Sequence, residues 1–191
     1  MGTKDFNSLD LFISRWRSRI VRRHIRSGAR VLDFGCGHQA LFLQSVQNLI
    51  SRGIGLDYDA DPCHPSKNIE IQNFHFKDHF EFPDESFDNI AILAVLEHIP
   101  LDQVTILLNE FKRILKVGGS VLITTPTSAS KPVLEFMAFK LKIISAPEIA
   151  DHKHYYSKAD MHAVATTHGF KCSEYQTFQM GLNSFTALTK K

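Results

Sequence analysis

Two rhythms of apolar residues run through this chain, one repeating every three to four positions and one every second position or without a break. From Leu9 to Ile25 the residues Phe12, Ile13, Trp16, Ile20, Val21 and Ile25 recur at helical spacing, with Asn7 or Ser8 placed to cap the first turn and Ser27-Gly28 to end it. The short run Ala29–Phe34 reads as a first strand. Leu41, Phe42, Leu43, Val46, Leu49 and Ile50 then give a helical stripe over residues 39–51, and Gly53–Asp57 reads as a second strand. Residues 58–68 are rich in Asp and Pro and carry no helical pattern. Strands are expected at 69–76 and, after the turn Pro83-Asp84-Glu85-Ser86, at Phe87–Leu93. The near-continuous apolar character of the latter fits a parallel strand covered on both faces.

A strong amphipathic pattern over 101–116 (Val104, Leu107, Leu108, Phe111, Ile114, Leu115) predicts a helix stopped by Gly118-Gly119, followed by a strand at 120–124. Residues 126–151 are irregular, with a helical stretch expected at 133–144 that is apolar on more than one face. A helix over 157–168 is capped by Ser157 with Asp160 at its third position and ends at Gly169. Strands at 170–178 and 182–189 flank a turn at Gly181. The order β-α-β-β-β-α-β, then helix and hairpin, predicts an α/β sheet closed by an antiparallel hairpin.

Composition narrows the function classes. With 191 residues, 43% apolar residues and a net charge of +2, the chain is expected to be one soluble domain with no global demand for nucleic acid or a membrane as partner. Residues 1–10 do not read as a secretory signal, and the apolar stretch 132–147 is interrupted by Glu135, Lys140 and Lys142, so no transmembrane segment is expected. Cys36, Cys63 and Cys172 are odd in number and far apart, which suits a reducing, cytoplasmic setting. The first helix carries Arg15, Arg19, Arg22, Arg23 and Arg26 on its polar face. These are read as a solvated basic face, with Arg22 or Arg26 as the ones to reach a carboxylate or phosphate.

Candidate chemistry concentrates where the first strand ends. Gly35 and Gly37 allow a tight turn and close approach of a ligand to main-chain N–H groups, and a helix opens behind them. Gly35-Cys36-Gly37-His38-Gln39-Ala40 fits G-x-G-x-x-A, with Asp57 about 20 residues further on. Taken alone, that pattern allows a nicotinamide-dependent oxidoreductase.

Four further features point elsewhere. Asp33 stands two residues ahead of Gly35. Downstream lie Phe82-Pro83-Asp84-Glu85-Ser86-Phe87-Asp88, Val95-Leu96-Glu97-His98-Ile99 and Leu115-Lys116-Val117-Gly118-Gly119. In this order and at these spacings the chain resembles the class I S-adenosylmethionine-dependent methyltransferases, strongly over residues 29–125 and more loosely over 151–191. The resemblance implies a Rossmann-like, doubly wound, mostly parallel sheet of about seven strands with a C-terminal antiparallel hairpin. It makes 1–191 a single methyltransferase domain in which the 9–26 helix and a 126–156 insertion cover the substrate.

The resemblance also implies roles. Main chain at Gly35, Cys36 and Gly37 packs against the methionine part of S-adenosylmethionine, and S-adenosylhomocysteine is the product. Asp33 steadies the loop or approaches the amino group through water. Asp57 accepts both ribose hydroxyls, Tyr58 lies against the adenine, and Leu93 and Ala94 complete the cofactor wall. The family often has an acid near Phe76, so the adenine amino contact is assigned to Asp78 and a main-chain contact to Lys77. Gln39 stands where a third glycine is usual, and it narrows the loop or adds a contact to the cofactor carboxylate. In metal-dependent branches of the family an acid precedes the Glu97 position by three residues. Here that residue is Ala94, so no metal is expected.

His152 is the preferred catalytic base and His98 the second candidate, because neutral imidazole titrates near working pH. The expected acceptor is a small molecule, with O-methylation favoured slightly over N or C. The 133–144 stretch is read as a pocket cover, a homodimer interface or a peripheral membrane contact. A catalytically silent methyltransferase-like binding protein is the alternative.

Overall fold

The computed structural model describes residues 8–135, 151 and 153–191. An eight-stranded sheet carries the fold. Its elements in chain order are α1 (Ser8–Arg22), β1 (Ala29–Phe34), α2 (Leu41–Val46), β2 (Ile50–Asp57), β3 (Cys63–Ser66), β4 (Ile69–Asn73), β5 (Phe87–Leu93), α3 (Leu101–Ile114), β6 (Leu115–Pro126), α4 (Lys131–Glu135), α5 (Lys158–Thr167), β7 (Phe170–Phe178) and β8 (Asn183–Lys190). The strand order is β3-β4-β2-β1-β5-β6-β8-β7. The central strands β4, β2, β1, β5 and β6 are parallel, while β8 runs antiparallel to β6 and β7, and β3 antiparallel to β4.

Side chains of the central strands alternate between two cores, as strand geometry requires. Val31, Ala91 and Leu122 face Ile20, Val21 and Ile25 of the α1 segment and Leu43 and Val46 of α2. Leu32, Ile90, Ile92 and Val121 face the α3 stripe and Met161 and Ala165 of α5. A phenylalanine cluster extends the second core. Phe80 is fully buried, stacks on Phe111 (5.8 Å) and Phe74 (5.4 Å), and meets Phe34 edge-on (5.9 Å). Such packing adds about 0.5–1.5 kcal/mol per pair beyond area burial.

Several sequence expectations need correction. The first helix ends at Arg22 rather than Ile25, and the second covers only Leu41–Val46, because Ile50 already belongs to β2. The sheet has eight strands rather than about seven, since Cys63–Ser66 adds an edge strand within the Asp- and Pro-rich stretch. Gly118-Gly119 does not separate α3 from a later strand. β6 begins at Leu115, and its register against β5 jumps from Phe87↔Leu115 to Asn89↔Ser120. The glycines form this bulge: Gly118 has φ of +74°, and a Cβ on Gly119 would lie 2.8 Å from the Asp88 carbonyl. The capping box on α5 is as expected, with Ser157 Oγ accepting from the Asp160 amide (3.2 Å) and the Asp160 carboxylate accepting from the Ser157 amide (2.8 Å). The 133–144 helix lies outside the described residues beyond Glu135. No helix among the described residues is long and apolar enough to cross a membrane.

Candidate active site

The carboxyl ends of β1, β2, β5 and β6 converge on the glycine loop. The amides of Gly35 and Cys36 donate to the Leu56 carbonyl of β2 at 2.8 and 3.2 Å. Gly35 must lack a side chain: a Cβ there would sit 2.3 Å from Val95 Cγ2 in the loop after β5. Gly37 has φ of +68°, and nothing within 4 Å occupies the space above it. Cys36 Sγ fills the gap beneath, where a Cβ on Gly55 would be 2.7 Å from it. Burial, aided by Asp33 and Asp57, pushes the Cys36 thiol above its ordinary range.

Asp57, half-buried at the end of β2, fastens the loop. Its Oδ2 accepts from the Gly37 amide (2.9 Å) and its Oδ1 from the Asp59 amide (3.0 Å). Each carboxylate oxygen has a further lone pair for a ligand donor. Asp33 lies behind the loop at 2% exposure. Burial first, and the nearby Asp57 charge second, push its carboxyl up to about 8, so it holds a proton at neutral pH. None of the loop amides donates to it.

The other expected cofactor residues are placed as follows. Tyr58 is 45% exposed beside His75, their ring centroids 6.0 Å apart. The Gln39 side chain is exposed at the outer edge of the loop, while its carbonyl accepts from Gln44 Nε2 (2.5 Å). The left-handed conformation usual for a third glycine falls one residue later, on buried Ala40 (φ 43°, ψ 49°). Phe76 is committed to the aromatic cluster, 4.8 Å from Phe80, and Lys77 and Asp78 follow it in an exposed bend. Leu93 and Ala94 are half-buried where β5 ends. Ala94 takes φ of +56°, and its amide donates to the Thr124 carbonyl (2.8 Å).

A second polar group lies next to this loop. Val95, packed on Gly35, leads into a short 3-10 turn, Leu96–His98. The Glu97 carbonyl accepts from the Lys153 and His154 amides (2.7 and 3.3 Å), which docks the 153–156 segment here. His98 Nδ1 meets Asp151 Oδ2 at 3.2 Å, and Asp151 also accepts from Lys153 Nζ (2.8 Å). These contacts hold the Asp151 carboxyl below its usual range, Lys153 contributing most. His152 lies outside the described residues.

The Glu97 side chain is 1% exposed, and its Oε2 makes no hydrogen bond. His98, Arg17 of α1 and Tyr156, the last also 1% exposed, are its charged and polar neighbours, and Arg17 Nε and the Tyr156 hydroxyl are likewise buried without partners. Thr125 Oγ1 lies close enough to favour the ionised form of Glu97, yet no hydrogen bond of ordinary geometry closes. Sequence reading missed Arg17. Arg22, one of the two arginines singled out there, instead ties α1 to the Ser45 carbonyl of α2. The usable signal was register: Arg17 follows Ile13 by four residues and precedes Val21 by four, which puts it on the buried stripe.

Comparison with known proteins fits this geometry. A family model described as a methyltransferase domain matches residues 7–175. No curated protein matches the sequence. Among solved structures, an S-adenosylmethionine-dependent methyltransferase from Mesorhizobium loti superposes with a TM-score of 0.67 at 14% identity, covering 91% of this chain and 95% of its own. CalO1, a methyltransferase in calicheamicin biosynthesis solved with S-adenosylhomocysteine bound, gives a TM-score of 0.70 at 14% identity over 95% of this chain and 56% of its own. A chain from the complex of the Haloferax volcanii activator Trm112 with a methyltransferase gives 0.69 at 16% identity over 91% and 87%.

Proposed function

Since the chain belongs to the methyltransferase-domain family, with the class I S-adenosylmethionine-dependent architecture, we propose that it is an active enzyme that methylates a hydroxyl on a small-molecule acceptor. S-adenosylmethionine is the cofactor. When bound, it supplies a methyl group on a sulfonium, ready for in-line displacement. The protein's part is to bind, orient and exclude water.

The residues present fit that cofactor. Gly37 leaves open space above the loop backbone, and Gly35 brings the loop against Val95 with no side chain between. The observation that carries the reading is Asp57. Its carboxylate is oriented by two amides and keeps lone pairs for two hydroxyl donors, as a ribose diol presents. In this reading Gly35, Cys36 and Gly37 line the methionine part, Tyr58 and Asp78 serve the adenine with Lys77 nearby, and Leu93 and Ala94 form the wall. Gln39 borders the carboxylate end, and neutral Asp33 supports the loop from behind. His98, oriented by Asp151, and His152 are the candidate bases. The α1 segment covers the acceptor together with the 126–156 insertion, of which 136–150 and 152 lie outside the described residues.

Isothermal titration with S-adenosylhomocysteine tests the cofactor site. Asp57→Ala is expected to weaken binding about 100-fold, because two charge-assisted hydrogen bonds are lost together. Unchanged affinity overturns the ribose assignment. Thermal stabilisation by NAD but not by S-adenosylhomocysteine overturns the cofactor reading itself.

A further inference from the structure

We propose that Arg17, Glu97 and Tyr156 form the polar end of the acceptor site and recognise a neutral acceptor hydroxyl, which donates to Glu97 and accepts from Arg17 or Tyr156. This rests on the methyl-transfer reading above and names the chemistry of the acceptor.

Three elements far apart in sequence meet here: α1, the turn after β5, and the segment before α5. Each contributes a buried polar atom without a hydrogen bond, namely Arg17 Nε, Glu97 Oε2 and the Tyr156 hydroxyl. Folded proteins pair the large majority of such atoms, so several orphans in one place call for a ligand. Arg17 and Glu97 feel each other's charge but form no ion pair, so neither satisfies the other. Position supports the assignment. Glu97 follows Val95 by two residues, and Val95 is the side chain packed on Gly35 of the cofactor loop.

The donor and acceptor set then selects the ligand. A carboxylate oxygen accepts only, a guanidinium donates only, and a tyrosine hydroxyl does either. An anionic ligand is opposed by Glu97 and a cationic one by Arg17. A hydroxyl, with one donor and two lone pairs, matches all three groups without adding charge. Burial raises the Glu97 carboxyl, offset in part by a backbone hydrogen bond and by His98 and Arg17, and lowers the Arg17 guanidinium, offset in part by Glu97. It also pushes the Tyr156 phenol up to about 12, which keeps it a neutral donor.

The test uses phenol, toluene and benzoate as probes, titrated by ligand-observed NMR into protein saturated with S-adenosylhomocysteine. Phenol is expected to bind about tenfold more tightly than toluene, because toluene leaves the buried groups unpaired. It should also outcompete benzoate. In Arg17→Met/Glu97→Leu, which removes both charges together and is expected to fold, the preference for phenol over toluene disappears while S-adenosylhomocysteine affinity stays within about twofold. Tyr156→Phe, which deletes only the hydroxyl, lowers the preference several-fold and guards against a misfolded double variant. Equal binding of phenol and toluene by the wild type, a preference that survives these substitutions, or tighter binding of benzoate overturns the proposal. If the wild type fails to bind S-adenosylhomocysteine, the methyl-transfer reading itself falls, and this premise with it.

Discussion

Two arginine–glutamate pairs occupy opposite situations in this molecule. Arg113 and Glu110, one turn apart on α3, are fully engaged. Arg113 donates to Glu110 through Nε and Nη2 (2.9 and 2.8 Å), to the Phe80 and Phe82 carbonyls (2.9 and 2.8 Å), and to Asp84 (2.8 Å). Glu110 also accepts from the Phe80 amide (3.0 Å). The pair clamps the loop between β4 and β5 and seats Phe80 in the aromatic cluster. Glu97 is more deeply enclosed, Arg17 is half-buried beside it, and Glu97 Oε2 and Arg17 Nε have no hydrogen-bond partner. One pair is closed by the fold; in the other, two buried atoms are left without hydrogen bonds. Hydrogen-bonded charges hold a structure together, whereas buried unpaired ones weigh against it and persist where a ligand completes them.

Breaking the first pair should have the largest effect. Arg113→Met is expected to lower stability by about 2–3 kcal/mol, since it removes five hydrogen bonds, to Glu110, to Asp84 and to two carbonyls. Thermal unfolding would record this as a fall of about 5–10 °C, and a loss under 1 °C would equate the two pairs.

Titration sharpens the contrast, because the two acids shift in opposite directions. Burial raises Glu97, whose unfolded value is 4.5, so from that pH upward the folded state keeps a proton that the unfolded chain releases. Glu97 therefore costs stability progressively as pH rises, until its folded pKa is passed. Urea denaturation should find Glu97→Gln gaining on the wild type by up to about 1 kcal/mol per pH unit over that interval. Glu110 is lowered, chiefly by Arg113, so its contribution is present above 4.5 and lost as pH falls through its folded value. Glu110→Gln should accordingly be weaker than the wild type by about 1 kcal/mol at neutral pH, with the two curves converging as pH falls through the folded value of Glu110. The smallest change is expected for Arg17→Met/Glu97→Leu, within about 1 kcal/mol of the wild type and on the stable side. A loss as large as that of Arg113→Met would mean that the inner pair braces the fold after all.

The two pairs also mark what a sequence discloses. The β1 strand, the β5 strand and the α5 capping box were legible because each is written in neighbouring residues: Val31–Phe34, Phe87–Leu93, Ser157 with Asp160. So was the juxtaposition of the glycine loop with Asp57, which follows from one β-α-β unit. Where local signals are ambiguous, tertiary pairing decides. Leu49 and Ile50 extend a helical stripe as naturally as they open a strand, and β1 claims Ile50 through Ala29. Gly118-Gly119 reads as a helix stop but serves a bulge against Asp88. The second polar cluster was the least visible. Arg17, Glu97 and Tyr156 meet only through the full topology, and Arg17 was masked by the more numerous arginines on the outer face of its helix.

The position of β8 bears on the order in which the sheet is completed. β8 follows every other element in the chain, yet it sits inside the sheet between β6 and β7, with Thr125 in register with Ser184. During synthesis β6 therefore presents an open edge until the β7–β8 hairpin has emerged from the ribosome and inserted. The glycine loop, whose contacts lie within residues 33–95, can be assembled well before then. Order around the glycine loop thus precedes completion of the sheet, and a stall or nick before Asn183 would leave a nascent chain with an organised loop and an exposed, aggregation-prone strand.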